Sequence, residues 1–311
     1  MPSTPDRLTA NRFDLRVEPL APHVYAVLAE GRANSGFIVS DEGVLLIDPR
    51  PSADETRAML GLIREFSAAP VTHVFLTHSH RATGAAIAAT GAPNVVGQIR
   101  ARQWLADYGE DNLEHSFDGT LTGERAPLTL PNVVFDRELT LYWGGREILL
   151  MHLGRGHTVG DAILALPDEG VVFGGDLIVN RHTPFLGDGY LDQWTATLER
   201  FRNVRAKRLV PGRGPIVAAA EAKQVIDAHS EYLGILRETV AEQVEAGRGI
   251  ADAYGRALEI LTPFFSDWVG FERLLPFNVA RAFEEVRGSH PRQWTVDRRL
   301  ELIEALASCY E

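Results

Sequence analysis

Hydrophobic and polar positions follow two successive patterns along the chain. Short apolar, β-branched runs come first. Residues 23–28, 36–40 and 43–48 are separated by Gly, Asn and Asp, and they predict the meander of a mostly antiparallel sheet. Residues 52–66 carry Met59, Leu60, Leu62 and Ile63 at helical spacing, with Ser52 placed to cap and Glu55 three residues on. The stretch 71–76 reads as a strand that runs straight into Thr77-His78-Ser79-His80. A second block repeats this order. It has a strand at 147–151, a Gly-rich loop at 152–159, strands at 162–166 and 170–173, and the turn Gly174-Gly175-Asp176. A helix is expected at 191–201, and a last strand at 207–210 that ends in Pro211-Gly212-Arg213-Gly214-Pro215. From Ala218 the period becomes helical, with helices expected at 218–244, 251–261, 271–286 and 296–307. The chain therefore divides into a strand-rich part, 1–217, and a helical extension, 218–311. No fixed-period repeat runs through it.

Composition narrows the function classes. With 311 residues, 45% hydrophobic and 23% charged, the chain fits an ordinary soluble globular protein and not a low-complexity or collagen-like one. Its 31 basic and 42 acidic residues give a formal charge of -11, which argues against a nucleic-acid partner and reads most simply as solubility. A single cysteine, Cys309, allows neither an intrachain disulfide nor a thiolate metal cluster, and it suits a reducing compartment. The first residues have no basic start followed by an apolar run, and no stretch of about 18 apolar residues occurs. A cytoplasmic chain without a membrane span is the expectation.

Three of the ten histidines, His78, His80 and His157, fall in loops that follow strand-like runs. Converging imidazoles are a common shell for zinc, and in an extended segment residues two apart point the same way, so His78 and His80 are expected to face one ion. Glycines around His157, in Gly154-Arg155-Gly156-His157-Thr158-Val159-Gly160-Asp161, allow a sharp turn that brings in a third imidazole. Asp176 offers an anionic oxygen at another strand end, and Asp161 is a candidate to orient a ligating histidine. His73 reads as a strand residue, and His152 as a residue near the site or a packing one. His23, His115, His229 and His290 read as surface or structural.

Taken in order, Thr77-His78-Ser79-His80, Gly156-His157-Thr158-Val159-Gly160-Asp161, Gly174-Gly175-Asp176 and Val210-Pro211-Gly212-Arg213-Gly214 resemble the metallo-β-lactamase superfamily. The resemblance covers roughly residues 20–217. It implies an αββα sandwich, two mixed sheets face to face with helices outside and a metal site at one edge, here followed by the helical extension. It implies first-site metal ligands at His78, His80 and His157 and a bridging carboxylate at Asp176. Asp48 is the carboxylate that in this family supports the metal loops from beneath.

The family's first motif is Thr-His-x-His-x-Asp-His, but this chain has Ala82 and Thr83 at its last two places. The family's closing Gly-His-Gly is here Gly212-Arg213-Gly214. Every lost ligand belongs to the second metal site, so one ion per chain is expected. Zinc is favoured by the imidazoles, and iron and manganese accept the same ligands. Arg213 reads either as a cation that pairs with Asp176 in place of the second ion or as a surface charge, with Arg81 a second candidate for that role.

The implied activity is that of a metal-dependent hydrolase in which one ion activates water against a small-molecule ester, thioester, lactone or activated aryl substrate, with Asp176 and Arg213 as its catalytic side chains. The alternative is a degenerate subunit that supports an intact relative. Either a homo-oligomer or a hetero-oligomer with a related subunit is compatible with the helical extension. Phe185 and Tyr190 are candidate pocket walls, and Trp104 and Tyr108 are candidates for pocket walls or partner contacts. For the cluster Phe264, Phe265, Trp268, Phe271 and Phe277, core packing is the first expectation.

Overall fold

The meander expected near the N-terminus is present and extends into a larger sheet. The computed structural model describes residues 13–81, 84–112 and 128–289, with Trp294, Arg298, Glu301 and Leu302. Strands β1 (Arg16–Ala21), β2 (Val24–Leu28), β3 (Ser35–Ser40) and β4 (Gly43–Ile47) pair antiparallel. From β4 the sheet continues in parallel through β5 (Val71–Phe75), β6 (Asn94–Gln98) and β7 (Val133–Phe135). Parallel pairing requires crossovers, and helices α1 (Ala53–Ile63) and α2 (Gly84–Thr90) supply them, with α3 (Ile99–Asn112) following β6. Ser52 accepts a hydrogen bond from the Glu55 amide at 3.1 Å, the cap its sequence promised.

The second sheet runs β13-β12-β11-β10-β9-β8, formed by β8 (Glu138–Trp143), β9 (Arg146–Met151), β10 (Ile163–Leu166), β11 (Val171–Gly175), β12 (Arg208–Pro211) and β13 (Val217–Ala218). Only β11 and β12 pair in parallel, and α4 (Leu191–Phe201) lies in the crossover between them. The inward faces meet in one apolar layer, with Ile38, Leu45, Phe75 and Val96 from the first sheet against Ile148, Leu164, Phe173 and Val210 from the second. The outer face of the first sheet is covered by Met59, Ile63, Ile87 and Leu105 from α1 to α3. These layers make the expected αββα sandwich.

The chain turns helical at Ala219, beside the expected break at 217. Helices α5 (Ala219–Glu245), α6 (Ile250–Phe265) and α7 (Phe271–Val286) pack with α4 over the outer face of the second sheet. Tyr232, Leu236, Ala257, Leu261, Phe265 and Leu275 share one core with Trp194, Leu198 and Val172. The extension is thus a continuation of the outer layer, joined to the sandwich by apolar burial. Helix α6 includes Pro263 in its last turn. The expected helix 296–307, together with His115, His290 and Cys309, falls largely or wholly outside the described residues. Among the described residues no helix is long and apolar enough to cross a membrane.

Candidate metal centre

The three candidate histidines come from two loops at one end of the sandwich. His78 follows β5 directly, while His80 lies in a short 3-10 turn, Ser79–Arg81. The segment is therefore not extended, contrary to the alternation expected for it. The turn swings His80 around, so the two rings meet edge to face at 5.3 Å instead of side by side. His157 comes from the Gly-rich loop between β9 and β10, and its ring lies 4.8 Å from each of the other two. One nitrogen from each ring falls within 4.8 Å of the others.

Outer partners decide which nitrogen each ring turns inward. The Thr77 hydroxyl donates to Asp48 Oδ2 at 2.6 Å, and the Thr77 amide donates to Asp48 Oδ1 at 2.8 Å. That hydroxyl hydrogen is thereby committed, so at 2.9 Å it is His78 Nδ1–H that donates to Thr77 Oγ1. His157 Nδ1–H donates to the Phe185 carbonyl at 2.9 Å. His80 Nε2–H donates to the Asp188 carboxylate, also at 2.9 Å. What remains facing the centre is a lone pair on His78 Nε2, on His80 Nδ1 and on His157 Nε2. The last two lie 2.9 Å apart. Lone pairs aimed at one another repel unless a cation lies among them, so this donor set fits a divalent metal such as zinc. Burial pushes the His157 pKa down to about 4, which keeps its imidazole neutral as a ligand must be.

Asp176 stands at the end of β11, with Oδ2 3.8 Å from His157 Nε2. Its carboxylate is only 5% exposed, and Arg213 donates to it from Nε at 3.1 Å with 23% of the arginine side chain exposed. The inward orientation of Arg213 follows from local backbone packing. Gly212 passes so close that a Cβ there would collide with Asp176, and Asn34 donates from Nδ2 to the carbonyls of Pro211 and Gly214 at 2.9 and 2.8 Å. The side chain of Arg81, the other candidate cation, and both Ala82 and Thr83 lie outside the described residues.

Other expectations resolve differently. The Asp161 carboxylate turns to Thr158, accepting from its amide at 3.0 Å and its hydroxyl at 2.6 Å, so it fixes the loop and orients no ligating histidine. Burial raises its pKa to about 7. His152 donates to the Asp161 carbonyl at 2.6 Å, which makes it a loop brace. His73 sits in β5, edge-on to Trp143. His229, read as surface or structural, is fully buried. Phe185 lies 6.1 Å from the His157 ring, and Trp104 lies 6.0 Å from His80, so both flank the centre. Tyr190 instead stacks under Arg155, and Tyr108 is half exposed. The aromatic cluster of the extension divides: Phe265 and Phe271 are core, Phe264 is exposed, and Phe277 meets Phe185 at 6.5 Å.

Asp188 escaped sequence reasoning altogether. It lies in a Gly-rich loop with no motif around it, and its role depends on a partner 108 residues away. Asp48 holds a left-handed backbone, φ 53°, which suits an aspartate whose two oxygens are both committed to Thr77.

The family model of the metallo-beta-lactamase superfamily matches residues 28–213. Among curated proteins the chain is similar to metallo-beta-lactamase IND-1 of Chryseobacterium indologenes, at 24% identity over 61% of this chain and 77% of that protein. It is also similar to the type 2 metallo-beta-lactamase of Bacteroides fragilis, at 21% identity over 70% of this chain and 88% of that one. Among solved structures, a metallo-beta-lactamase from Pontibacter korlensis aligns with a TM-score of 0.57 and 21% identity over 70% of this chain and 99% of its own, a likeness of fold. With three histidines converging at one end of an αββα sandwich and a family model spanning most of both sheets, the chain belongs to the metallo-beta-lactamase superfamily.

Proposed function

We propose that this chain is a metal-dependent hydrolase that works with one ion. His78 Nε2, His80 Nδ1 and His157 Nε2 would hold the ion, and Asp176 is the carboxylate beside it. The observation that carries the reading is the committed outer nitrogen of all three rings, which leaves three inward lone pairs. Zinc is the first choice, with iron or manganese compatible with the same donors. When bound, such an ion supplies Lewis acidity and lowers the pKa of water to about 7.

The chain's own residues supply the rest. Asp176 Oδ2 lies next to the inward nitrogen of His157, where it can accept a proton from water and hold it close to the reacting centre. Arg213 pairs with Asp176 and offsets the charge of this nearly buried carboxylate. Its guanidinium also offers a fixed cation where charge develops on a carbonyl oxygen. Trp104 and Phe185 flank the histidines with apolar surface that limits water.

The substrate class that fits is an ester, thioester, lactone or activated aryl compound of small size. Because the curated relatives are named as beta-lactamases, a β-lactam belongs in the same panel. Turnover of such a panel by the wild-type chain, abolished by chelation and by His157→Ala, tests the reading. A metal-loaded chain that hydrolyses none of them supports the alternative of a non-catalytic subunit.

A further inference from the structure

The loop that carries Asp188 is held mainly by the C-terminal helices. Asn278 of α7 donates from Nδ2 to the Pro184 carbonyl at 2.8 Å and accepts from the Leu186 amide, also at 2.8 Å. Its amide is fixed in turn by the Tyr232 hydroxyl of α5 at 2.8 Å. Arg281 of α7, buried to 1% exposure, donates from Nε to the Gly187 carbonyl at 2.9 Å and again from an Nη. The backbone adds a short bridge, in which Thr183 donates to the Val269 carbonyl at 3.1 Å and Val269 donates to Arg181 at 3.0 Å. Glu285 accepts from the amides of Leu191 and Asp192 and so caps α4, whose own N-cap residue, Tyr190, makes no side-chain capping bond. Every residue between 183 and 188 thus lies within two positions of a bond from α7 or from the turn before it. Within this span stand the Phe185 carbonyl and the Asp188 carboxylate, the outer partners of His157 and His80.

We infer that Asp188 is a positioning residue of the metal centre, selecting the His80 tautomer that turns Nδ1 inward, and that Asn278 and Arg281 set its position, which makes the C-terminal helices part of the site's outer scaffold. This inference rests on the metal reading above. A carboxylate accepts but does not donate, so at Asp188 it fixes the proton on His80 Nε2. The loop is glycine-rich, with Gly187 and Gly189 on either side of Asp188, and has no regular structure to hold the carboxylate in place. Two side chains of α7 supply that rigidity from outside. Arg281, 94 positions downstream of Gly187, therefore reaches a metal ligand through one carbonyl and one carboxylate.

The test compares wild type with Asp188→Asn, Asp188→Ala and Arg281→Met. Zinc affinity is read by chelator competition, the His80 tautomer by long-range nitrogen–proton NMR of the metal-free protein, and folding by thermal melts. Asp188→Ala is expected to weaken zinc binding by about 10–100-fold and to lose the Nε2–H signature of His80. Asp188→Asn keeps an acceptor oxygen and is expected to restore both in large part. Arg281→Met should weaken zinc in the same direction while remaining folded. If that variant does not fold, the contrast between Asp188→Ala and Asp188→Asn decides. Zinc affinity and tautomer unchanged in Asp188→Ala would overturn the inference and leave the metal reading intact. A wild-type chain that binds no zinc would overturn both.

Discussion

Arg213 and Asp176 form an ion pair, Nε to Oδ2 at 3.1 Å, beside the three converging histidines. On the one-ion reading proposed above, the guanidinium gives this nearly buried carboxylate a fixed cation. The fork of an arginine suits a carboxylate better than the point charge of a lysine, since it offers planar donors at a fixed angle.

The pair is neither fully exposed nor fully buried, so its loss should fall between the two known limits. Exposed pairs contribute about 0–1 kcal/mol, and breaking a buried pair costs about 3–5 kcal/mol. Arg213→Ala is therefore expected to destabilise the metal-free protein by about 2 kcal/mol in urea denaturation. A change within about 0.5 kcal/mol would mean that Arg213 behaves as a surface charge.

Asp48 should matter to metal binding through Thr77. It receives both donors of Thr77, and Thr77 receives His78. Asp48→Ala removes both acceptors and is expected to weaken zinc by about 10–100-fold. Asp48→Asn should do less harm, because asparagine keeps one acceptor and tolerates the left-handed backbone at this position. Equal affinity in Asp48→Ala and wild type would remove Asp48 from the site.

His229 gives the fold an acid sensitivity of its own. Its ring is fully buried, edge to face with Trp194 at 5.1 Å, and burial lowers its pKa to about 3. In the unfolded chain the same group binds a proton below its ordinary value of 6.5. The unfolded state therefore holds more protons between these values, and stability falls as pH drops through that window. From pH 7 to pH 4 the loss attributable to His229 is about 3 kcal/mol, at about 1.4 kcal/mol for each pH unit below 6.5. His229→Leu should flatten the profile by that amount, while the contribution of His157 stays in both proteins. Parallel stability profiles for the two would contradict this.

Much of the site was legible because its residues sit in short local motifs. His78, His80, His157, Asp176 and Arg213 each stand next to a strand end or a glycine turn, where neighbours in sequence are neighbours in space. The Ser52 cap was legible for the same reason. What the sequence concealed is non-local. Asn278 and Pro184 are 94 residues apart, and no periodicity links a helix face to the loop it will clamp. The 3-10 turn at His80 overrode the alternation expected after a strand, because β5 ends at Phe75 and the backbone curls soon after. Strand β1 went unread because Pro19 interrupts it, and it survives as an edge strand where a missing amide donor does little harm. The parallel strands β6 and β7 are short, five and three residues, which leaves little pattern to read.

The central claim is a single three-histidine metal centre, and elemental analysis of protein purified without added metal tests it most directly. About one ion per chain is expected in wild type and in His73→Ala, whose ring lies away in β5 against Trp143, and close to none in His78→Ala and His157→Ala. Two tightly held ions in wild type, or the same metal content in all four proteins, would contradict it.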